Sequence, residues 1–214
     1  LLLHFHGDFW RNKYWLEEKP ARFILLLLSK LLVPKADALR VVSHGIKNKL
    51  AMAGVPADKI KVISTPVDID KIKQPDNEAV LSIKNKYAGK KIIFWVGKMR
   101  SEKNIPWLFR AFKKIQAKFP DCVLVMAGSG KDSDEINSLR IKMNLEKAVD
   151  MVGHTAYTST VNYFHAADIY VLPSRHESFG KVLLEAGAAA KPSVASATTG
   201  AKEIILDKKT GFLV

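Results

Sequence analysis

Two carboxylates, Glu177 and Glu185, flank Gly180 in the segment Pro173-Ser-Arg-His-Glu-Ser-Phe-Gly180 and the run that follows it. The segment leaves an apolar run, Ile169–Leu172, and enters a helical one, Lys181–Ala190. At such a helix start the backbone N–H groups of Gly180, Lys181 and Val182 have no intrahelical acceptor, and the helix dipole adds positive potential, which makes an anion site. Gly180 has no side chain to keep a phosphate away. Glu185 falls about 7.5 Å further along the axis at 1.5 Å per residue, within reach of the ribose of a nucleotide whose diphosphate lies over the helix start. A carboxylate accepts two hydrogen bonds from a vicinal diol. Glu177, on the other side of the phosphate, is placed to meet sugar hydroxyls. The neighbours Leu183, Leu184, Ala186 and Ala188–Ala190 are apolar or small, so Glu185 sits on a buried helix and needs a partner.

A second cluster is Gly97-Lys-Met-Arg-Ser-Glu-Lys103, which follows a strand and precedes a helix. Lys98, Arg100 and Lys103 bring cations to that position, and Gly97 lets the backbone approach, a combination suited to a diphosphate. Gly128-Ser-Gly130 also follows a strand but lacks the third glycine of the dinucleotide fingerprint. It reads as a tight turn with positive φ. No Gly-x4-Gly-Lys-Ser/Thr occurs, which argues against a P-loop nucleotidase. His4 and His6 alternate along one strand face without a third metal ligand in view. His6, at the strand exit, has the better functional claim. Thr199-Gly-Ala-Lys-Glu203 opens the last helix and is expected along the same cleft.

The elements that position these residues alternate regularly. Expected strands are Leu1–Phe5, Leu39–Val42, Lys61–Ile63, Ile92–Val96, Val123–Ala127, Val149–Val152, Ile169–Leu172, Ser193–Ala195 and Phe212–Val214. Expected helices are Ala21–Leu32, a Ser43-capped helix to Met52, Glu78–Tyr87, Ile105–Phe119, Asp134–Met143, Thr158–His165, Gly180–Ala190 and Ala201–Leu206. The loop His6-Gly7-Asp8 follows the first strand. Apolar strands between amphipathic helices predict a parallel sheet covered on both faces, an α/β, Rossmann-like doubly wound fold. The charged stretch from residue 68 to 90, with Pro75, reads as a linker and a short helix. It divides the chain into 1–75 and 76–214. The apolar helix within 21–32 is read as core of the first part.

Composition narrows the classes further. Of 214 residues, 48% are hydrophobic and 26% charged, so the chain folds as a globule rather than remaining disordered. The single cysteine, Cys122, excludes an intrachain disulfide framework and a cysteine-rich zinc site. No apolar stretch approaches the ~20 residues of a spanning helix. A net charge of +13 is spread over both parts and suits anionic lipids, polyanions or phosphorylated small molecules. Nucleic acid is not expected as a partner, because the aromatics do not interleave with basic residues and no recognition motif is present. Both termini read as cuts through structure, so a fragment of a longer protein is expected.

Taken together, Glu177-x7-Glu185 within Leu172–Gly187 resembles the EX7E signature of the retaining family 4 glycosyltransferases of the GT-B fold. The likeness continues through Lys191-Pro-Ser-Val-Ala195, Thr199-Gly-Ala-Lys-Glu-Ile-Ile205 and Thr210-Gly-Phe-Leu213. Upstream it takes in Val96-Gly-Lys with Glu102-Lys103, Ala127-Gly-Ser-Gly130, Val152-Gly153, Val41-Val-Ser43, Lys61-Val-Ile63 and Val67-Asp68. Order and spacing of many short blocks make it specific.

The resemblance implies a nearly complete donor domain over 76–214, lacking its final helices, and the last part of a Rossmann-like acceptor domain over 1–75. It implies transfer of a sugar, with retention, from a nucleoside diphosphate sugar to an acceptor hydroxyl, in polysaccharide, glycolipid or cell-envelope glycan synthesis. Glu177, His6 and Lys103 would be catalytic. Gly97, Lys98, Lys103, Gly180, Lys181, Val182 and Glu185 would bind the donor nucleotide, and Glu177, Ser178 and Phe179 its sugar. Phe179 would also offer its backbone N–H. Lys98 stands where the family usually has Arg, so a point charge replaces a bidentate fork. Thr65-Pro66 replaces the family's Asn-Gly and receives no role. No metal or other cofactor is expected. The expected acceptor is a glycan or lipid-linked molecule, and the expected location is the cytoplasm, with peripheral contact at the inner membrane face. The alternative reading is a nucleotide-binding module without catalysis.

Overall fold

The computed structural model describes residues 1–7 and 22–214. Asp8 and Ala21, placed by the sequence in a loop and at a helix start, lie outside them. Two parallel sheets organise the chain.

The first sheet has the order β1 (Leu2–Phe5), β2 (Ala38–Val41), β3 (Ile60–Val62). Phe5 pairs with Val41 and Leu39 with Ile60. Helix α1 (Arg22–Leu32) follows β1, and α2 (His44–Met52) follows β2. Ser43 caps α2 as expected, its hydroxyl accepting from Ile46 N at 3.3 Å. Ile46 and Leu50 then lie one turn apart on the buried face, against Phe5, Leu39, Val41 and Ile60. One expectation fails here. Helix α1 is not core: Phe23, Ile24, Leu27, Leu28, Leu31 and Leu32 are 45–65% exposed. Val33, Ala36 and α2 supply this sheet's core, and no described element covers that face of α1.

The short helix α3 (Ile69–Ile72) follows, capped by the Asp68 carboxylate, which accepts from Lys71 N. Ile72 is fully buried, but in the core of the second sheet, and Val67 packs there too. Helix α4 (Asn77–Lys86) starts where Asp76 accepts from Glu78 N and Ala79 N.

The second sheet joins β4 (Lys91–Val96), β5 (Cys122–Ala127), β6 (Val149–Gly153), β7 (Ile169–Leu172), β8 (Ser193–Ala195) and β9 (Gly211–Leu213). Its order is β6-β5-β4-β7-β8-β9, and every pairing is parallel. The two-residue period of a strand sends Ile92 and Phe94 to one face and Ile93 and Trp95 to the other, and both faces are buried. Helix α5 (Ile105–Lys118) covers the Trp95 face with Ile105, Leu108, Phe109 and Phe112, the spacing of one helical stripe. Helix α6 (Ser133–Lys142) lies beside it with Ile136. The Phe94 face is covered by α7 (Tyr157–Ala166) and α8 (Lys181–Ala188), through Val161, Phe164, Leu183 and Ala186. Helix α9 (Ala201–Ile204) precedes β9.

From β4 the chain winds outward through β5 and β6, and from β7 it winds the opposite way through β8 and β9. Strands β4 and β7 are neighbours, so the winding reverses between them. In open parallel sheets, ligands bind outside the carboxyl ends of the strands at this reversal. The loops leaving there are 97–104 and 173–180, the two segments with the densest chemistry in the sequence.

Candidate active site

The two loops are stitched together. Arg175 N donates to the Glu102 carbonyl at 2.8 Å, and the Arg175 guanidinium Nε reaches Asn104 Oδ1 at 3.4 Å. At the centre, the Lys103 ammonium is hydrogen-bonded and ion-paired to Glu177 Oε1. The Ser174 hydroxyl, fully buried, donates to the same oxygen at 2.9 Å. The side chains of Lys103 and Glu177 are 19% and 14% exposed, so the pair is sheltered but reachable.

Past Glu177 the chain turns into α8 through Gly180, which has φ +82°, a conformation favouring glycine. Among the described residues, no side chain caps α8. Its first amides therefore face the cleft end of the sheet with no capping side chain, as an anion site requires. Glu185, 5% exposed, takes the Lys181 ammonium at 3.3 Å. Burial pushes its carboxyl above the ordinary value, and Lys181 opposes the shift. Tyr157, at the start of α7, carries the Lys181 ammonium 5.4 Å and the Lys71 ammonium 5.6 Å from its ring centre. Its hydroxyl is buried without a hydrogen-bond partner among the described residues, and burial, followed by the charges of Glu185 and Asp68, raises its pKa.

The structure thus gathers Gly97, Lys103, Glu177, Ser178, Phe179, Gly180, Lys181, Val182 and Glu185 at one end of the sheet. Lys98 is exposed there, without an ion-pair partner among the described residues. Phe179 also packs against the core of the first sheet. His6 is exposed at the end of β1; its ring stacks on His4 at 6.1 Å and has no described contact with Glu177 or Lys103. Among the described residues, no group of three or more His, Cys, Asp or Glu side chains is placed to hold a metal ion.

Sequence reasoning missed Ser174, Tyr157 and the Lys181 side chain. The i,i+4 spacing of Lys181 and Glu185 was a usable signal for one pair. The three-residue spacing of Ser174 and Glu177 was another, but nothing local marks Arg175 as the tie to the first loop.

The sequence profile of the family described as Glycosyl transferases group 1 matches residues 76–214, and that of Glycosyltransferase Family 4 matches residues 1–71. The chain belongs to the group 1 glycosyl transferases. Within this family it is 32% identical over 179 residues to an uncharacterized glycosyltransferase of Methanocaldococcus jannaschii, covering 81% of this chain and 45% of that one. It is 34% identical over 119 residues to a glycogen synthase of Mycobacterium tuberculosis, covering 56% of this chain and 29% of that one. The chain therefore spans less than half the length of these two relatives. Anabaena HepE, solved in complex with UDP and glucose, superposes with a TM-score of 0.83 at 22% identity, over 100% of this chain and 57% of that one. The α/β GT-B fold expected from the sequence is the fold found.

Proposed function

We propose that this group 1 glycosyl transferase uses residues 76–214 to bind a nucleoside diphosphate sugar and transfers the sugar, with retention, to the hydroxyl of a glycan or lipid-linked acceptor. The observation that carries this is the sheltered Lys103–Glu177 pair at the winding reversal, beside the start of α8, where Lys181 stands one turn from buried Glu185. That spacing matches a sugar, a diphosphate and a ribose in sequence along one ligand. The UDP and glucose held by the structurally similar HepE support the same ligand class.

In this reading Glu177 accepts from sugar hydroxyls, and Lys103 and Lys98 face the diphosphate with the first amides of α8. Negative charge grows on the departing diphosphate, and fixed donors aimed at that charge stabilise the transition state more than the ground state. Glu185 holds the ribose. His6 faces the donor sugar from the acceptor side, 1–75. No metal ion is needed for this chemistry.

Calorimetry with UDP, GDP and their sugars, beside a sugar-transfer assay, tests the reading. Micromolar nucleotide binding that is lost in Lys103→Ala supports it, and the absence of any nucleotide binding refutes it. Binding without transfer under any acceptor selects the alternative, a nucleotide-binding module.

A second contact follows from α1. No described helix is long and apolar enough to cross a membrane. The exposed apolar side chains of α1 lie beside Lys30 and Lys35 on a chain of net charge +13, which suits the surface of an anionic bilayer. Co-sedimentation with phosphatidylglycerol vesicles that Leu27→Asp/Leu31→Asp abolishes supports this contact; sedimentation unaffected by the substitutions refutes it.

A further inference from the structure

Besides Phe179, the segment 199–203 joins the two sheets, and no catalytic or binding role above rests on its Glu203. The first amides of α2, His44 N and Gly45 N, donate to the two carboxylate oxygens of Glu203 in α9, at 2.9 and 2.5 Å. Ser43 satisfies the next free amide, Ile46 N. Two of the amides that helix geometry leaves open at the start of α2 are thus closed by a residue 158 and 159 positions away in sequence. The carboxylate also lies at the positive end of the α2 dipole.

The approach is too close for a side chain at residue 45. A Cβ there would stand 2.1 Å from Thr199 Cγ2. On its other side the same segment abuts the Glu177 loop. Gly200 N donates to the Glu177 carbonyl at 2.9 Å, and a Cβ at Gly200 would stand 2.4 Å from the Phe179 carbonyl carbon and oxygen. Phe179 itself packs into the core of the first sheet. Residues 199–203 therefore touch the start of α2 with one side and the Glu177 loop with the other.

What α2 carries with it follows from strand register. Phe5 pairs with Val41, so His6 leaves β1 at the sheet edge where Val42 and Ser43 leave β2 for α2. Fixing the start of α2 fixes that edge. Glu203 is solvent-exposed, so water competes for its oxygens and the net strength of the contact is modest.

We infer that Glu203 is a positioning residue: its bidentate grip on His44 N and Gly45 N seats the first sheet, with His6 on its edge, against the loop that carries Glu177. The grip itself does not depend on the proposed function; only its consequence for sugar transfer rests on that reading.

The test measures the seating without any ligand. In the full chain with Cys122→Ser, spin labels at Met52→Cys on α2 and Ile141→Cys on α6 occupy exposed positions remote from the contact. Electron–electron resonance is expected to give one narrow distance distribution. Glu203→Ala and Gly45→Ala should broaden and lengthen it, and Glu203→Gln, which keeps one carbonyl acceptor and the shape, should retain part of the narrow population. Lys202→Ala, beside Glu203 and also exposed, should leave it unchanged. An unaltered distribution in Glu203→Ala overturns the inference.

The second readout separates positioning from donor binding. With UDP, Glu203→Ala should bind within about twofold of the parent, because the cations of the Gly97–Lys103 loop are untouched. In sugar transfer it should lose kcat on the order of tenfold or more with donor KM unchanged, as a misplaced partner surface does. A matching loss of UDP affinity overturns the positioning role. A parent that binds no nucleotide refutes the donor reading while leaving the distance measurement to judge Glu203.

Discussion

The Lys103 ammonium and the Ser174 hydroxyl donate to the same oxygen of Glu177. Without ligand, the cation assigned to the diphosphate is held by the carboxylate assigned to the sugar. Under the proposed function, a diphosphate entering the cleft would compete with Glu177 for Lys103 while Ser174 keeps the carboxylate in place. Donor binding would then redistribute an existing charge pair instead of importing a bare cation into a sheltered site, which would limit the desolvation cost.

Lys103→Ala removes this cation and leaves the Glu177 oxygen with Ser174 alone. The expected loss in sugar-transfer rate is ~10²–10³ if charge stabilisation of the departing diphosphate dominates. Stability should fall by about 1–3 kcal/mol, since a mostly buried carboxylate loses its charged donor. Steady-state kinetics and urea unfolding check the two parts separately, and wild-type turnover would remove Lys103 from the mechanism.

Glu185 makes a pH-dependent prediction. Burial raises its folded carboxyl pKa above the unfolded value, so the folded state holds that proton more tightly than the unfolded state. Stability from this group is greatest below the ordinary carboxylate range and declines as pH rises through the folded pKa. Glu185→Gln should therefore be more stable than the parent at pH 7, with the difference shrinking toward acid pH. It should also bind UDP more weakly, because an amide offers one acceptor to the ribose diol where a carboxylate offers two. Thermal melts at several pH values and calorimetry read both effects.

Gly180→Ala places a Cβ on a residue with φ +82° and 3.3 Å from Leu183 Cδ1. Left-handed backbone costs a non-glycine residue about 1–2 kcal/mol, and the new methyl stands at the amides proposed to meet phosphate. A lower melting temperature together with weakened UDP binding is expected. Lowered stability with unchanged UDP affinity would confine Gly180 to a backbone role.

The proposed chemistry uses side-chain cations and helix amides, so millimolar EDTA should leave transfer unchanged. Activity abolished by EDTA and restored by a divalent cation would show that a metal supplies charge the protein was assigned here.

Most elements were legible because their signals are local. Ile92–Trp95 and Cys122–Met126 are short unbroken apolar runs, the pattern of strands buried on both faces. Ile105, Leu108, Phe109 and Phe112 repeat at helical spacing, and Ser43 announces the start of α2. Helix α3 was not legible. Ile69–Ile72 is one turn, too short to show a period, and the burial of Ile72 comes from a core whose strands lie later in the chain. Helix α1 misled for a related reason. Its apolar composition promised burial, but burial depends on what lies opposite, and no described element does.

The candidate site divides the same way. Glu177, Gly180 and Glu185 were visible as a spacing within one loop and helix, because helix rise turns sequence separation directly into distance. The sequence by itself determined which segments become strands, which loops carry cations, and where a helix start could receive an anion. Only the tertiary structure decided that β4 and β7 lie side by side, so that Lys103 meets Glu177 from 74 residues away and Glu203 meets Gly45 from 158. Periodicity and capping act over a few residues and are written in local order. The neighbour relation of strands is set by burying both sheet faces at once, a condition on the whole chain that no single segment encodes.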